Sequence, residues 1–418
     1  MSNLINQKEI GSQFDLKVSV NGVQVPTKNV LSSVLREWIF DHVVTLEMTI
    51  LDSGTFIELS PLFDESPISI EFAKNSDVDT VKMDFSLNAW EVERMNVDGG
   101  SVYGIRMIAF QKTTDYFYPI HTRSFKYQST TDVLKQVCDE SGLNFIKDVQ
   151  SNDNQIWIQS NCCNHTFTHH LMKRSYVTPE DLPLFYFNRK NEAVFSTVKT
   201  KANRKSKFIA FNNDMIYMDN GADETLKRFK ESYGTDKEFL FYKTDFKTKN
   251  ISPLMNKVNG YGIDFTYFDH RNFFEYQLDF VFNPFSKYQH KNKNNTGKFT
   301  NGWTFNGLSK NVHENYLLGK VQNVYLKETF FGNYLQVAMN PNLKLNIGDK
   351  IEMVIYDTLG RMLNGTPSID VVNSGDYLVG GISHDIKRGG LYTMNVTLFR
   401  NGVNESNVKD KVFELVEE

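Results

Sequence analysis

The stretch SGDYLVGGISHDIKRGGLYTMNVTLFRNG, residues 374–402, contains two apolar runs around a turn. In the second run Tyr392, Met394, Val396 and Leu398 alternate with Thr393, Asn395 and Thr397. Period-2 alternation puts one set of side chains on a buried sheet face and the other toward polar surroundings. The first run, Asp376 to Ile382, leads to a His and then to Lys387-Arg388-Gly389-Gly390, a turn that folds the two runs into a hairpin. Upstream, Lys320 to Leu326, Tyr334 to Met339 and Lys350 to Tyr356 carry the same dense alternation. The last ~100 residues therefore read as an antiparallel, barrel-like set of strands.

The opposite end of the chain repeats the pattern. Phe14, Leu16, Val18 and Val20 alternate with Asp15, Lys17 and Ser19, and Asn21-Gly22 supplies a tight hairpin turn to Val23 and Val25. Val44 to Ile50, Ile68 to Phe72, Val81 to Leu87 and Tyr103 to Phe110 continue at sandwich or barrel spacing, with Asp98-Gly99-Gly100 as a turn. Between these ends the period changes. Ser129-Thr130-Thr131-Asp132 offers a capping box, Val133, Leu134, Val137 and Cys138 recur at helical spacing, and Gly142 stops the helix. A second helix begins near Asn164, followed by a hairpin of Leu184 to Phe187, the polar turn Asn188-Arg189-Lys190-Asn191-Glu192, and Ala193 to Phe195. Asp223 to Tyr233 reads as a short helix, and Val258 to Phe265 and Phe273 to Phe280 as strands. Lys287 to Gly302 is Lys/Asn-rich and reads as a loop facing solvent or ordered by a partner.

The fold class is accordingly α+β, mainly β, with two antiparallel β-barrel domains joined by smaller mixed α/β domains. The expected divisions are 1–120 for the first barrel and 121–205 for a helix-plus-hairpin domain. Residues 206–315 form a crossover and second mixed domain, and 316–418 the second barrel with an acidic tail, completed by strands near 206–245. A chain of 418 residues allows about three domains at roughly 150 residues each. Hydrophobic residues at 40% and charged residues at 23% exclude a disordered chain. Lys+Arg 46 against Asp+Glu 50 leaves a net charge of -4, without the basic excess of a nucleic-acid binder. No signal segment or apolar run of ~18 residues is present, so membrane insertion is not expected. Cys138, Cys162 and Cys163 suggest no disulfide framework, in keeping with synthesis in a cytoplasm.

Chemistry-bearing clusters are few. Cys162, Cys163, His165, His169 and His170 are the densest set of possible metal ligands, and His165 and His169 would share a helical face. The cysteines are adjacent rather than two apart, and Thr166 stands where a metalloprotease carries its Glu, so these residues are expected to be reduced and metal-free. No nucleophile elbow or phosphate loop occurs; Gly99-Gly100, Gly380-Gly381 and Gly389-Gly390 read as hairpin turns. Asp264, Asp269, Glu275 and Asp279 lie among aromatics, as half-exposed strands arrange them and as a glycosidase could use them. Lys199, Lys201, Arg204, Lys205 and Lys207 read as a solvated crossover linker. No catalytic, cofactor-binding or metal-binding residue is expected.

The order of elements resembles the baseplate hub proteins of tailed bacteriophages and the hub portion of type VI secretion spike proteins. Three stretches carry the resemblance: STTDVLKQVCDESGLNF, HTFTHHLMKRSYVTPEDLPLFYFNRKNEAVFSTV and the closing hairpin; the opening LEMTILDSG also fits a first barrel. It covers roughly Phe14 to Asn401. What it implies is a homotrimer whose tail-tube-like barrels form a pseudo-sixfold ring, adapting the sixfold tube above to a threefold central spike below. Other baseplate proteins would surround it, and DNA would pass through the lumen during genome ejection without specific binding. It implies a virion component, made in the bacterial cytoplasm, with no enzymatic activity and no cofactor. The chain lacks the lysozyme-like segment and long Val/Gly-repeating β-helix of some spikes, so the spike would be a separate chain; whether the tail is contractile stays open. Two other classes fit less of the pattern: a distal tail or tube-initiator ring, and a β-rich polysaccharide hydrolase.

Overall fold

The computed structural model describes residues 12–212, 236–250, 262–268, 273–279, 303–306 and 333–400, with isolated positions between 315 and 330. Short interruptions fall at 53–55, 57–59, 75–79, 98–99, 114, 180, 356–361, 364–365, 368, 371–372 and 389–390. The loop Lys287 to Gly302, the helix at Asp223 to Tyr233 and Asp269 lie outside the described residues.

The amino-terminal strands are β1 (Ser12–Val20), β2 (Val23–Val25), β3 (Val30–Trp38), β4 (Thr45–Asp52), β5 (Pro67–Lys74), β6 (Thr80–Val97) and β7 (Gly100–Gln111). Alternation sets the buried face: in β4, Leu46, Met48 and Ile50 are buried while Thr45, Glu47 and Thr49 are only half-buried. Asn21 and Gly22 turn β1 into β2 with φ of 52° and 79°, the left-handed pair that a two-residue hairpin requires. A middle segment follows, with β8 (His121–Gln128), β9 (Asn144–Lys147), β10 (Gln155–Cys162), β11 (Pro183–Phe187) and β12 (Glu192–Thr197). Ser129 caps the helix Thr130–Glu140, its side chain accepting from the N–H of Asp132, and Gly142 ends it at φ 65°. The helix Asn164–Met172 packs nearby, and the β11–β12 hairpin is buried on both faces.

The remaining strands are β13 (Phe208–Asn212), β14 (Glu238–Asn250), β15 (Gly262–Phe268), β16 (Phe273–Asp279), β17 (Trp303–Asn306), β18 (Asn333–Met339), β19 (Lys350–Val354), β20 (Met362–Leu363), β21 (Thr366–Pro367), β22 (Gly375–Lys387) and β23 (Leu391–Arg400). The main sheet closes on itself twice. One circuit runs β1-β5-β6-β7-β4-β3-β22-β23 and back to β1; the other runs β22-β19-β13-β14-β18-β23 and back to β22. Both circuits share the β22–β23 hairpin. Strands before residue 120 thus leave two open edges, β1 and β3, which the far end of the chain covers. Closure removes the unpaired N–H and C=O groups that an edge would otherwise present.

The mainly-β fold class holds, with two departures in detail. The second circuit is not wholly antiparallel, because β13 runs parallel to both β14 and β19. A parallel neighbour needs a long crossover, which residues 213–237 have the length to supply. The alternation at Lys320 to Leu326 is also not a strand: Gln322, Asn323, Leu326 and Phe330 are helical and buried, their spacing of three and four fitting a helix as well as the apolar density fitted a strand. No helix among the described residues is long and apolar enough to cross a membrane.

Candidate functional site

The most constrained polar cluster sits where the two circuits and the middle segment meet. Glu37 comes from β3, His384 from β22, Tyr392 from β23, and Arg189 from the turn of the β11–β12 hairpin. Glu37, Arg189 and His384 have side-chain exposures of 0%, 1% and 0%, so no solvent path reaches them. Arg189 Nη1 donates to Glu37 Oε1 at 2.7 Å and the Arg189 backbone N–H to Oε2 at 2.9 Å. Its Nη2 donates to the carbonyls of Leu343 and, at 2.7 Å, Leu345, which lie between β18 and β19. One guanidinium thereby ties the hairpin turn to both barrels.

Electrostatics fix the protonation states. Burial opposes the charge of Glu37, but the guanidinium of Arg189 and the hydrogen bond from His384 outweigh it and hold the carboxyl at about 2. Burial pushes His384 below its ordinary value and Tyr392 above, so both stay neutral at pH 7. With a carboxylate 3.2 Å from Nε2 and the Tyr392 hydroxyl against Nδ1, the proton of His384 belongs on Nε2. Every strong donor and acceptor is thus satisfied internally. The cluster acts as a joint, since no nucleophile and no access for substrate accompany it.

The cluster weighed for metal binding comes together only in part. His165 and His169 face each other with 3.3 Å between their Nε2 atoms. His42, from the loop between β3 and β4, stacks on His169 at 3.9 Å and bonds Thr168 at 3.0 Å, with Tyr116 on the same hydroxyl at 2.8 Å. Cys163 instead occupies the helix N-cap position and contacts Thr166, and Cys162 ends β10. Among the described residues no group of three His, Cys, Asp or Glu side chains could hold a metal ion. His42 carried no sequence signal, since nothing in Phe40-Asp41-His42 anticipates a partner more than a hundred residues away.

Burial, with the repulsion of neighbouring cations, holds His169 at about 4 and His42 well below its ordinary value; burial also lowers His165. A histidine neutral in the fold but free to charge when unfolded makes the unfolded state bind more protons. The stability of the chain is therefore expected to be level above pH 6.5 and to fall as pH drops toward 4. Thermal midpoints across that range should decline less steeply in His169→Gln; an unchanged slope would mean the pair is hydrated.

Of the basic residues read as a solvated linker, Arg204, Lys205 and Lys207 are exposed, but Lys201 departs from that reading. Val198–Ala202 is a short helix, and Lys201 is buried within it, 2.9 Å from Asp148, which Arg204 reaches at 2.7 Å. Lys205 pairs with Asp236 at 2.7 Å. The β15–β16 register sets Asp264 across from Gln277, Glu275 across from Thr266 and Asp279 across from Gly262. Gly380-Gly381 lies inside β22 rather than in a turn. Here β22 changes partner, pairing with β19 through Leu378 and with β3 from Gly381 onward, across a register shift against β23.

No family model matches the sequence, and no curated protein matches it. Solved structures do. The 43 kDa tail protein of prophage MuSo2 from Shewanella oneidensis superposes with a TM-score of 0.57 at 9% identity, covering 93% of this chain and 98% of that one. The tail protein from Neisseria meningitidis MC58 gives 0.54 at 8% identity, covering 94% and 98%. Nearly the full length of each chain is shared. This chain has the fold of these phage tail proteins.

Proposed function

We propose that the chain is a structural component of a phage tail baseplate, a hub whose closed homotrimer forms a pseudo-sixfold ring between the tail tube and a threefold central spike. The observation that carries this reading is the pair of strand circuits locked through one shared hairpin. Two barrels per chain, repeated by a threefold axis, present sixfold-like symmetry to the tube. Sealing the ionic joint from solvent suits a part that bears load and turns nothing over. A net charge of -4 suits a conduit, because each phosphate neutralised by Lys or Arg would add affinity and slow DNA transit.

The test is the mass in solution by light scattering. A concentration-stable trimer, three times 48.3 kDa, is expected, followed by co-assembly with tube and spike proteins. A hexamer would move the assignment to a distal tail ring. A monomer that stays monomeric with tube and spike proteins present would remove the hub reading.

A further inference from the structure

A cavity of about 320 Å³ opens where β6 bulges between Leu87 and Ala89, just past the point at which it leaves β5 at Ser86. Its wall holds Phe110 and Phe117, stacked at 5.8 Å, with Tyr118 67% exposed beside them. The charged groups lining it are two carboxylates, Glu65 and Asp115, with no Lys, Arg or His in the wall. Both lie on left-handed backbone, at φ 63° and 49°, and neither forms an ion pair with a described residue. Thr113 adds a buried Oγ1 that has no hydrogen-bond partner. Gln111 is already committed, accepting from the Val44 N–H and donating to Asn191. What remains open is a set of acceptors beside aromatic faces, with no charged donor.

We propose that this cavity is a socket for the guanidinium of an arginine side chain presented by a partner protein. A planar cation that stacks on aromatic rings while donating to carboxylates fits both features, and arginine meets them better than the compact ammonium of lysine. The chain beside the cavity argues for a protein rather than a free cation: Phe63, in the turn that carries Glu65 and that the Ser66 N–H closes onto the Phe63 carbonyl, and Ile120, two residues past Tyr118, are 63% and 66% exposed. Exposed apolar side chains beside charged ones are the arrangement of an interface anchor. The socket does not depend on the ring reading and can be tested on the chain alone.

The probe is N-acetyl-arginine amide, followed by ligand-observed NMR on the full-length protein. It is expected to bind, and the isosteric but neutral citrulline derivative to bind at least about fivefold more weakly. Glu65→Gln with Asp115→Asn should weaken the arginine probe about tenfold. A blocked Leu-Arg-Leu peptide should bind more tightly than the single residue and lose that gain in Phe63→Ser with Ile120→Ser. Equal binding of citrulline, displacement by N-acetylchitotriose, or indifference to loss of the carboxylates would overturn the cation socket. A peptide no tighter than the single residue would overturn the protein partner.

Discussion

Arg189→Met is expected to cost about 3–5 kcal/mol of stability, because it strands a buried carboxylate whose compensating charge is gone. For a chain of this size that lowers the thermal midpoint by about 3–6 °C. The size of the effect follows from what Arg189 holds: both oxygens of Glu37, and the carbonyls of Leu343 and Leu345 on the other circuit. The companion variant separates charge from packing. Removing both partners, in Glu37→Met with Arg189→Met, should recover part of the loss, since the penalty of burying an unpaired ion disappears. Recovery should stop about 1–3 kcal/mol short, because the two carbonyls lose their donor and the Arg189 backbone N–H and His384 Nε2–H lose their acceptor. The pH dependence has a definite sign. In the native protein the carboxyl lies at about 2 against an ordinary 4.5, so its contribution is full above pH 4.5 and is lost as pH falls toward 2. Glu37→Gln should therefore remain less stable than the native chain at neutral pH and converge on it in acid. A cost for Arg189→Met within about 1 kcal/mol would show that water reaches the joint.

Why the joint was illegible in the sequence is instructive. Asn188-Arg189-Lys190-Asn191-Glu192 has the composition of a solvent-facing turn, and the hairpin it closes is where the sequence places it. Yet Asn188 and Arg189 are buried, because the turn is pressed against β3 and the segment before β19. Polarity reports a need for hydrogen bonds, and those can come from protein as well as water. Period-2 alternation located most strands, and the Ser129 cap and Gly142 located the first helix, since these signals are local. Pairing between β1 and β23, or between β3 and β22, joins the two ends of the chain and leaves no local trace. His42 was missed for the same reason. The carboxylates of the cavity are likewise unremarkable in sequence, because the bulge that gathers them depends on β6 outrunning β5.

Gly380→Ala should destabilise the chain by about 1–3 kcal/mol through overpacking, against the few tenths that a surface Gly→Ala would change. A Cβ at Gly380 would overlap Cδ2 and Cε2 of Phe399, a ring only 2% exposed, and one at Gly381 would lie 2.6 Å from Cζ3 of Trp38. These two rings pack edge to face at 5.5 Å where β22 passes from one circuit to the other. The strand can change partners there because its backbone carries no side chain to hold the rings away. The sequence pattern of two adjacent glycines suggests a turn; the same absence of a Cβ serves close approach instead. A cycle with Phe399→Leu checks the cause. Shortening the ring should relieve the added methyl, giving a coupling energy of about 1–2 kcal/mol between the two substitutions. Strict additivity would mean that the clash relaxes elsewhere, and the shared hairpin would then be held by its ladder hydrogen bonds rather than by the fit between glycine and ring.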